Sequence, residues 1–291
     1  MTGLLRSLAA TPHARPVDVL AAAYLAASGV IAALSMTTIG WKIAGLHVVA
    51  LGLVHLLGRV PVSTNRFGAF LRLAWPVAVT PLLYMELATL NQLLFPGYFD
   101  AAVQAWEQVL FGAQLSIVMS SWIEALWFSE LLHFGYVSYY LIVPVALIGG
   151  LYLGGDEGLE RVAFTTALAF FVCYLCFAVF PVAGPRYEFA QIVGPQTDGR
   201  VFALVHGILE SGSSKGTAFP SSHVAATVSA WLAAGLVDRR LGWILAPFAV
   251  SLTIGTVYGR FHYGIDAAAG LAVALLAVWW TPRLMAQLRH S

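Results

Sequence analysis

Long apolar stretches separated by short polar ones run the length of the chain. A helix that crosses a bilayer needs about 20 apolar residues. Eight runs approach or exceed that length: Val17–Ser35, Trp41–Val60, Phe70–Leu94, Leu131–Leu153, Arg161–Ala183, Ser222–Val237, Gly242–Val257 and His262–Pro282. The sixth and seventh are the shortest. Pro76, Pro81, Pro144 and Pro247 fall inside runs, which packed membrane helices tolerate with kinks. Residues 99–130 break the pattern. There Trp106, Leu110, Phe111, Trp122, Ile123, Leu126 and Trp127 alternate with Asp100, Glu107, Glu124 and Glu130, a mixture that predicts an amphipathic helix lying in the membrane interface. Residues 184–218 form the longest polar connection. The pattern predicts an all-α polytopic bundle of about eight spans. An N-terminal segment and extra two-span hairpin (1–66) precede a six-span core (67–291).

Composition agrees. Hydrophobic residues make up 59% of the 291 and charged residues 10%, where a soluble domain carries about a quarter charged. A net charge of +1 leaves no electrostatic footprint for nucleic acid. Cys173 and Cys176 form a Cys-x-x-Cys without a second ligand pair, so they read as apolar fillers rather than a metal or redox site. No cleavable signal is evident: the first apolar run is long enough to span.

Charge sets the orientation. With eight spans, one side collects Arg6, Arg15, Arg59, Arg66, Arg72, Arg161, Arg239, Arg240, Arg283 and Arg289, ten of the 15 basic residues. The other side has Lys42, Arg186, Arg200, Lys215 and Arg260. The sequence therefore predicts cytoplasmic termini in a cytoplasmic membrane, with the long polar connection facing outward.

The chemistry-bearing residues lie at the outward span edges. His262 and Asp266 are four apart, which on a helix places them on one face. A carboxylate there holds one imidazole nitrogen and frees the other to attack phosphorus. His223 follows Pro220, Ser221 and Ser222 at a helix start, where free N–H groups and hydroxyls suit an anion, and it can protonate a leaving alkoxide. Arg186, at the end of the fifth run, offers a fork matched to phosphate oxygens; Arg260 and Lys215 are further candidates. Taken singly, each has a bland reading: a helix-pinning His–Asp bond, a Ser N-cap, an interfacial arginine. Their agreement in chemistry and sidedness favours the functional one.

These motifs resemble the type 2 phosphatidic acid phosphatase superfamily, and within it the branch that contains inositol phosphorylceramide synthase. Pro220-Ser221-Ser222-His223 is similar to the family's Pro-Ser-Gly-His, and His262 with Asp266 to its His-x-x-x-Asp. The resemblance covers Phe70 to Pro282. Two departures stand out: Val179 occupies the place of a family lysine, and Gly255 and Thr256 the place of a Ser-Arg pair. The resemblance implies a metal-independent lipid phosphatase or phosphotransferase without cofactors. Its phosphohistidine would form on His262, oriented by Asp266, with His223 as acid and then base. Arg186, Ser221, Ser222, Arg260 and Lys215 would bind phosphate, and the acceptor would be water or an alcohol. The competing class is a transporter or channel with a His/Asp proton relay. It is poorly supplied, since Glu86 is the one clear mid-span acid besides Asp266.

Overall fold

The computed structural model describes residues 10–289, together with Gly3; Arg6, counted above, lies outside the described residues. Among these the chain is all-helical apart from one isolated bridge between Val182 and Thr217. An N-terminal hairpin of α1 (Pro16–Leu34) and α2 (Thr38–Leu57) precedes α3 (Arg66–Ala78) and α4 (Thr80–Leu90). Next come α5 (Asp100–Phe111), α6 (Leu115–Trp122), α7 (Leu126–Val137) and α8 (Tyr139–Val179). The short α9 (Pro185–Glu188) and the amphipathic α10 (Arg200–Gly212) lead to α11 (Ser222–Val237), α12 (Arg239–Tyr258) and α13 (Gly264–Arg289).

Six described helices are long and apolar enough to cross a membrane, counting α3 and α4 as one continuous run. One of the six, α8, is two limbs. At Gly155 the backbone takes φ 62° and ψ −157°, left-handed geometry open to glycine. Beyond it the chain folds back, so that a Cβ on Gly150 would lie 3.0 Å from the Gly158 carbonyl. Eight residues along a straight helix would be about 12 Å apart. These limbs are the predicted fourth and fifth runs. With the shorter apolar α11, the structure has eight apolar limbs where the sequence pattern predicts eight.

Helix α11 is the centre of the bundle, packed on α8, α12 and α13. Apart from Val224 and Val228 its buried positions are small: Ser222, Ala225, Ala226, Thr227, Ser229, Ala230, Ala233 and Ala234. Small side chains let membrane helices approach closely, where dispersion replaces the hydrophobic effect. Gly235 and Gly242 bring α11 and α12 together near their joining turn, which Asp238 caps by accepting from the Arg240 and Leu241 amides.

Charged groups lock the end opposite the histidines. Asp18 on α1 accepts from both terminal guanidinium nitrogens of Arg72 on α3, at 2.9 and 2.7 Å, and from the Trp75 indole at 2.9 Å. Glu160, fully buried, pairs with Arg15 and Arg289. In mid-bundle, His47 on α2 meets the Glu86 carboxylate of α4 at about 3.0 Å. The N-terminal hairpin is thus fastened to the core by polar groups as well as by packing.

The segment read as interfacial is helical over α5, α6 and the start of α7, and amphipathic. Val109, Leu110, Trp122 and Trp127 are exposed, whereas Asp100 and Glu107 are buried. In lipid the apolar face turns outward and the acids must find donors inside.

Candidate active site

Three non-helical segments meet at one end of the bundle: residues 180–184 between α8 and α9, 214–221 before α11, and 259–263 before α13. The Ala218 amide donates to the Val182 carbonyl at 3.0 Å and the Ser221 amide to the Asp266 carbonyl at 3.0 Å. Gly184 sits at the crossing with φ 99°. A Cβ there would come within 3.0 Å of the Ala218 side chain and 3.4 Å of the Phe261 carbonyl. Glycine lets the three segments close.

His262 lies in the turn ahead of α13, not on it. Both the Phe261 and His262 amides donate to the Thr256 carbonyl at 3.0 Å, and helix begins only at Gly264. This corrects the expectation that His262 opens the last helix. Its consequence is chemical. Nδ1 of His262 is 2.9 Å from the Ala218 carbonyl and 3.5 Å from Oδ2 of Asp266. A carbonyl only accepts, so Nδ1 carries the proton and Nε2 presents its lone pair. The tautomer-fixing role expected of Asp266 therefore falls first to Ala218. Oδ2 of Asp266 instead accepts the Tyr263 amide at 2.8 Å, and its buried Oδ1 has no hydrogen-bond partner among the described residues. Burial pushes the His262 imidazole down to about 4, against the opposing pull of the Ala218 carbonyl.

His223, at the second position of α11, stands with its ring centroid 6.1 Å from that of His262. Tyr136 of α7 and Tyr139 of α8 pack on it at 5.2 and 4.8 Å, and the Tyr136 hydroxyl is 3.5 Å from Nε2. Arg186 completes the group. Its buried Nη1 has no hydrogen-bond partner among the described residues. Arg186, His223 and His262 line one cavity of about 40 Å³, together with Tyr84, Tyr136, Tyr187, Ser213, Ser214 and Thr217. A second cavity of about 280 Å³ shares Tyr84, Leu209, Ser213 and His223 with the first; its other walls include Tyr139, Tyr140, Phe170, Tyr174 and Ser222.

The remaining expected residues lie elsewhere. Ser221 is buried and caps α11, its Oγ accepting the Val224 amide. Ser222 faces the larger cavity. Arg260, with φ 56°, turns away: Nε donates to Ser120 Oγ at 2.9 Å and Nη1 to the Ala190 carbonyl at 2.6 Å. A left-handed residue in a tight turn aims its side chain off the face that His262 uses. Lys215 is exposed and its ammonium sits over the Tyr98 and Tyr187 rings. The two histidines and Arg186 share the small cavity; Arg260 and Lys215 do not line it.

Tyr84, Tyr136 and Thr217 join the site without a sequence motif to announce them. Their signal is weak: hydroxyls inside or beside apolar runs. The Tyr84 and Thr217 hydroxyls are 2.9 Å apart, which ties α4 to the loop ahead of His223. Among the described residues no three His, Cys, Asp or Glu side chains gather in metal-ligand geometry.

The comparisons with known proteins meet this geometry. A PA-phosphatase related-family protein of Dictyostelium discoideum is 24% identical over 172 residues, which is 52% of this chain and 31% of that protein. This chain thus spans about a third of that relative's length. No solved structure matches. The sequence profile of the PAP2 superfamily matches residues 101–280, the stretch that contains Arg186, His223, His262 and Asp266. The chain belongs to the PAP2 superfamily.

Proposed function

We propose that this protein is a metal-independent membrane enzyme that moves a phosphate-bearing group from a lipid-linked phosphate, through a phosphohistidine on His262, to water or an alcohol. The observation that carries the reading is one cavity in which His262 presents a free Nε2, a second imidazole stands 6.1 Å away centroid to centroid, and a guanidinium nitrogen has no partner among the described residues. Family membership agrees, since it points to activity on phosphate esters.

The chemistry follows from the positions. Nε2 of His262 attacks phosphorus in line with the departing oxygen. As the P–O bond breaks, His223 gives that oxygen a proton. Arg186 stabilises charge on the equatorial oxygens, and the unpartnered Asp266 Oδ1 balances the phosphorylated imidazole. An acceptor hydroxyl then loses its proton to His223 and attacks phosphorus, which frees His262. In-line geometry puts the departing alcohol on the His223 side, toward the larger cavity. That cavity's aromatic walls suit an apolar chain, which supports a lipid alcohol there.

The charge count supports a site on the outer face of a cytoplasmic membrane. In a protein freed of Cys173 and Cys176, Asp198→Cys should react with an impermeant thiol reagent in intact cells and Arg240→Cys should not; the reverse labelling would move the site to the inside. The reaction is tested with purified protein, radiolabelled phosphatidic acid and phospholipids, and candidate alcohols. Free phosphate marks a phosphatase and a new phospholipid a transferase. Turnover should survive EDTA. Loss on chelation, restored by a divalent ion, would reject metal independence.

A further inference from the structure

Helix α5 looks like a lipid-facing element, yet its two acids hold the site together. Asp100 is 3% exposed and Glu107 fully buried. Oδ2 of Asp100 accepts the Ala183 amide at 2.8 Å. Oδ1 accepts the Gly184 amide at 2.8 Å and the Tyr263 hydroxyl at 2.9 Å. Ala183 and Gly184 lead into Arg186; Tyr263 follows His262. Glu107 works one step along: Oε2 accepts the Ile265 amide at 3.0 Å and Oε1 the Leu115 amide at 2.8 Å. Ile265 lies in the first turn of α13, where backbone amides lack helical partners. Glu107 thus caps α13 from another helix. The Phe99 amide, bonded to the Pro181 carbonyl at 2.8 Å, and the stacking of Phe99 and Trp106 on Phe180 complete the joint.

We propose that Asp100 is a positioning residue for phosphoryl transfer: one carboxylate bonds both the segment that carries Arg186 and the turn that carries His262, and so sets their separation. The inference rests on the reading above, in which both residues act on one phosphate. Hydrogen bonds to a carboxylate are the stronger kind, and a misplacement of about 1 Å at a reacting centre costs on the order of 100-fold. The outward apolar face of α5 seats the same helix in lipid, so the site's geometry is referred to the membrane surface.

A purely structural acid would stabilise the fold without regard to Arg186. A positioning acid couples to it, and a double-mutant cycle separates the two. The probe is orthovanadate, which mimics the five-coordinate phosphorus of transfer, bound to the purified full-length protein with melting temperature recorded alongside. Asp100→Asn should weaken vanadate binding by about tenfold or more. In an Arg186→Ala background the same substitution should cost less than about threefold, because the group it positions is gone. Equal losses in both backgrounds, or unchanged affinity in folded Asp100→Asn, would overturn the proposal. Should Asp100→Asn fail to fold, Tyr263→Phe, which deletes one hydroxyl from the joint, decides by the same cycle. If Arg186→Ala and His262→Ala both bind vanadate like the unaltered protein, the proposed function falls and this inference with it; if only the coupling is missing, the inference falls alone.

Discussion

The two ends of the bundle treat buried charge in opposite ways. At the end that holds Asp18 and Glu160, the acids are answered by arginines: Arg72 on Asp18, Arg15 and Arg289 on Glu160. At the histidine end, Asp100, Glu107 and Glu130 are answered by backbone amides of residues 183–184, 265 and 201–202. Each solution gives these acids hydrogen-bond donors. At the second end, Nη1 of the half-buried Arg186 is left without a hydrogen-bond partner among the described residues. Arg186 keeps a nitrogen free because amides, not guanidinium groups, occupy the local carboxylates. An ion-pair lock stabilises; an amide-capped acid holds loops in place without engaging the neighbouring cation, which the proposed mechanism uses.

Substitutions at the two ends should therefore fail differently. The largest effect is expected at His262: His262→Ala should reduce turnover to background in folded protein, since a nucleophile has no substitute. His223→Ala should cost about 100- to 10,000-fold, the range of a general acid. Arg186→Ala should cost about 100- to 1,000-fold, as for loss of one charge-stabilising donor, with Arg186→Lys only partly restoring the rate. At the opposite end, Arg72→Ala leaves the Asp18 carboxylate buried without its guanidinium. It should lower stability by about 3–5 kcal/mol and leave kcat of the folded fraction unchanged. A kcat defect in stable Arg72→Ala protein would erase the contrast. The smallest effect is expected at Arg260, whose guanidinium is engaged with Ser120 and Ala190. Arg260→Ala should keep near-normal kcat, and a loss to match Arg186→Ala would return it to the phosphate.

The pH profile sharpens the same point. His262 has its folded-state value lowered to about 4, below the usual 6.5. Folding therefore favours the neutral ring; that contribution is full above 6.5 and is lost as pH falls from 6.5 toward 4. The nucleophile stays unprotonated across the same interval, so its acid limb in kcat/KM should fall near pH 4. A His262 imidazole that titrates near 6.5 by NMR would contradict the buried geometry.

Much of this was legible because hydropathy is local. The eight apolar limbs follow from run length alone, and the two histidine motifs from short spacings. What was not legible depends on contacts between distant segments. The start of α13 slips from His262 to Gly264 because Thr256 takes two amides and Asp266 reaches back to Tyr263, a turn no periodicity announces. Arg260 looked available until its left-handed backbone aimed it at Ser120. The sequence marks Asp100 and Glu107 as the polar side of an amphipathic helix but does not say what they bond, because their donors are the amides of residues 183–184, 265 and 115 and the Tyr263 hydroxyl. Tyr136 reaches His223 from α7 and has no motif at all.

The central claim is that His262 becomes covalently phosphorylated. Brief mixing of purified protein with radiolabelled phosphatidic acid, alkaline denaturation and peptide mass spectrometry test it directly. A phosphohistidine on His262 requires one alkali-stable, acid-labile phosphoryl group at that residue, missing from His262→Ala. Full turnover with no label on His262, or with the label on Ser221 or Ser222, would contradict it.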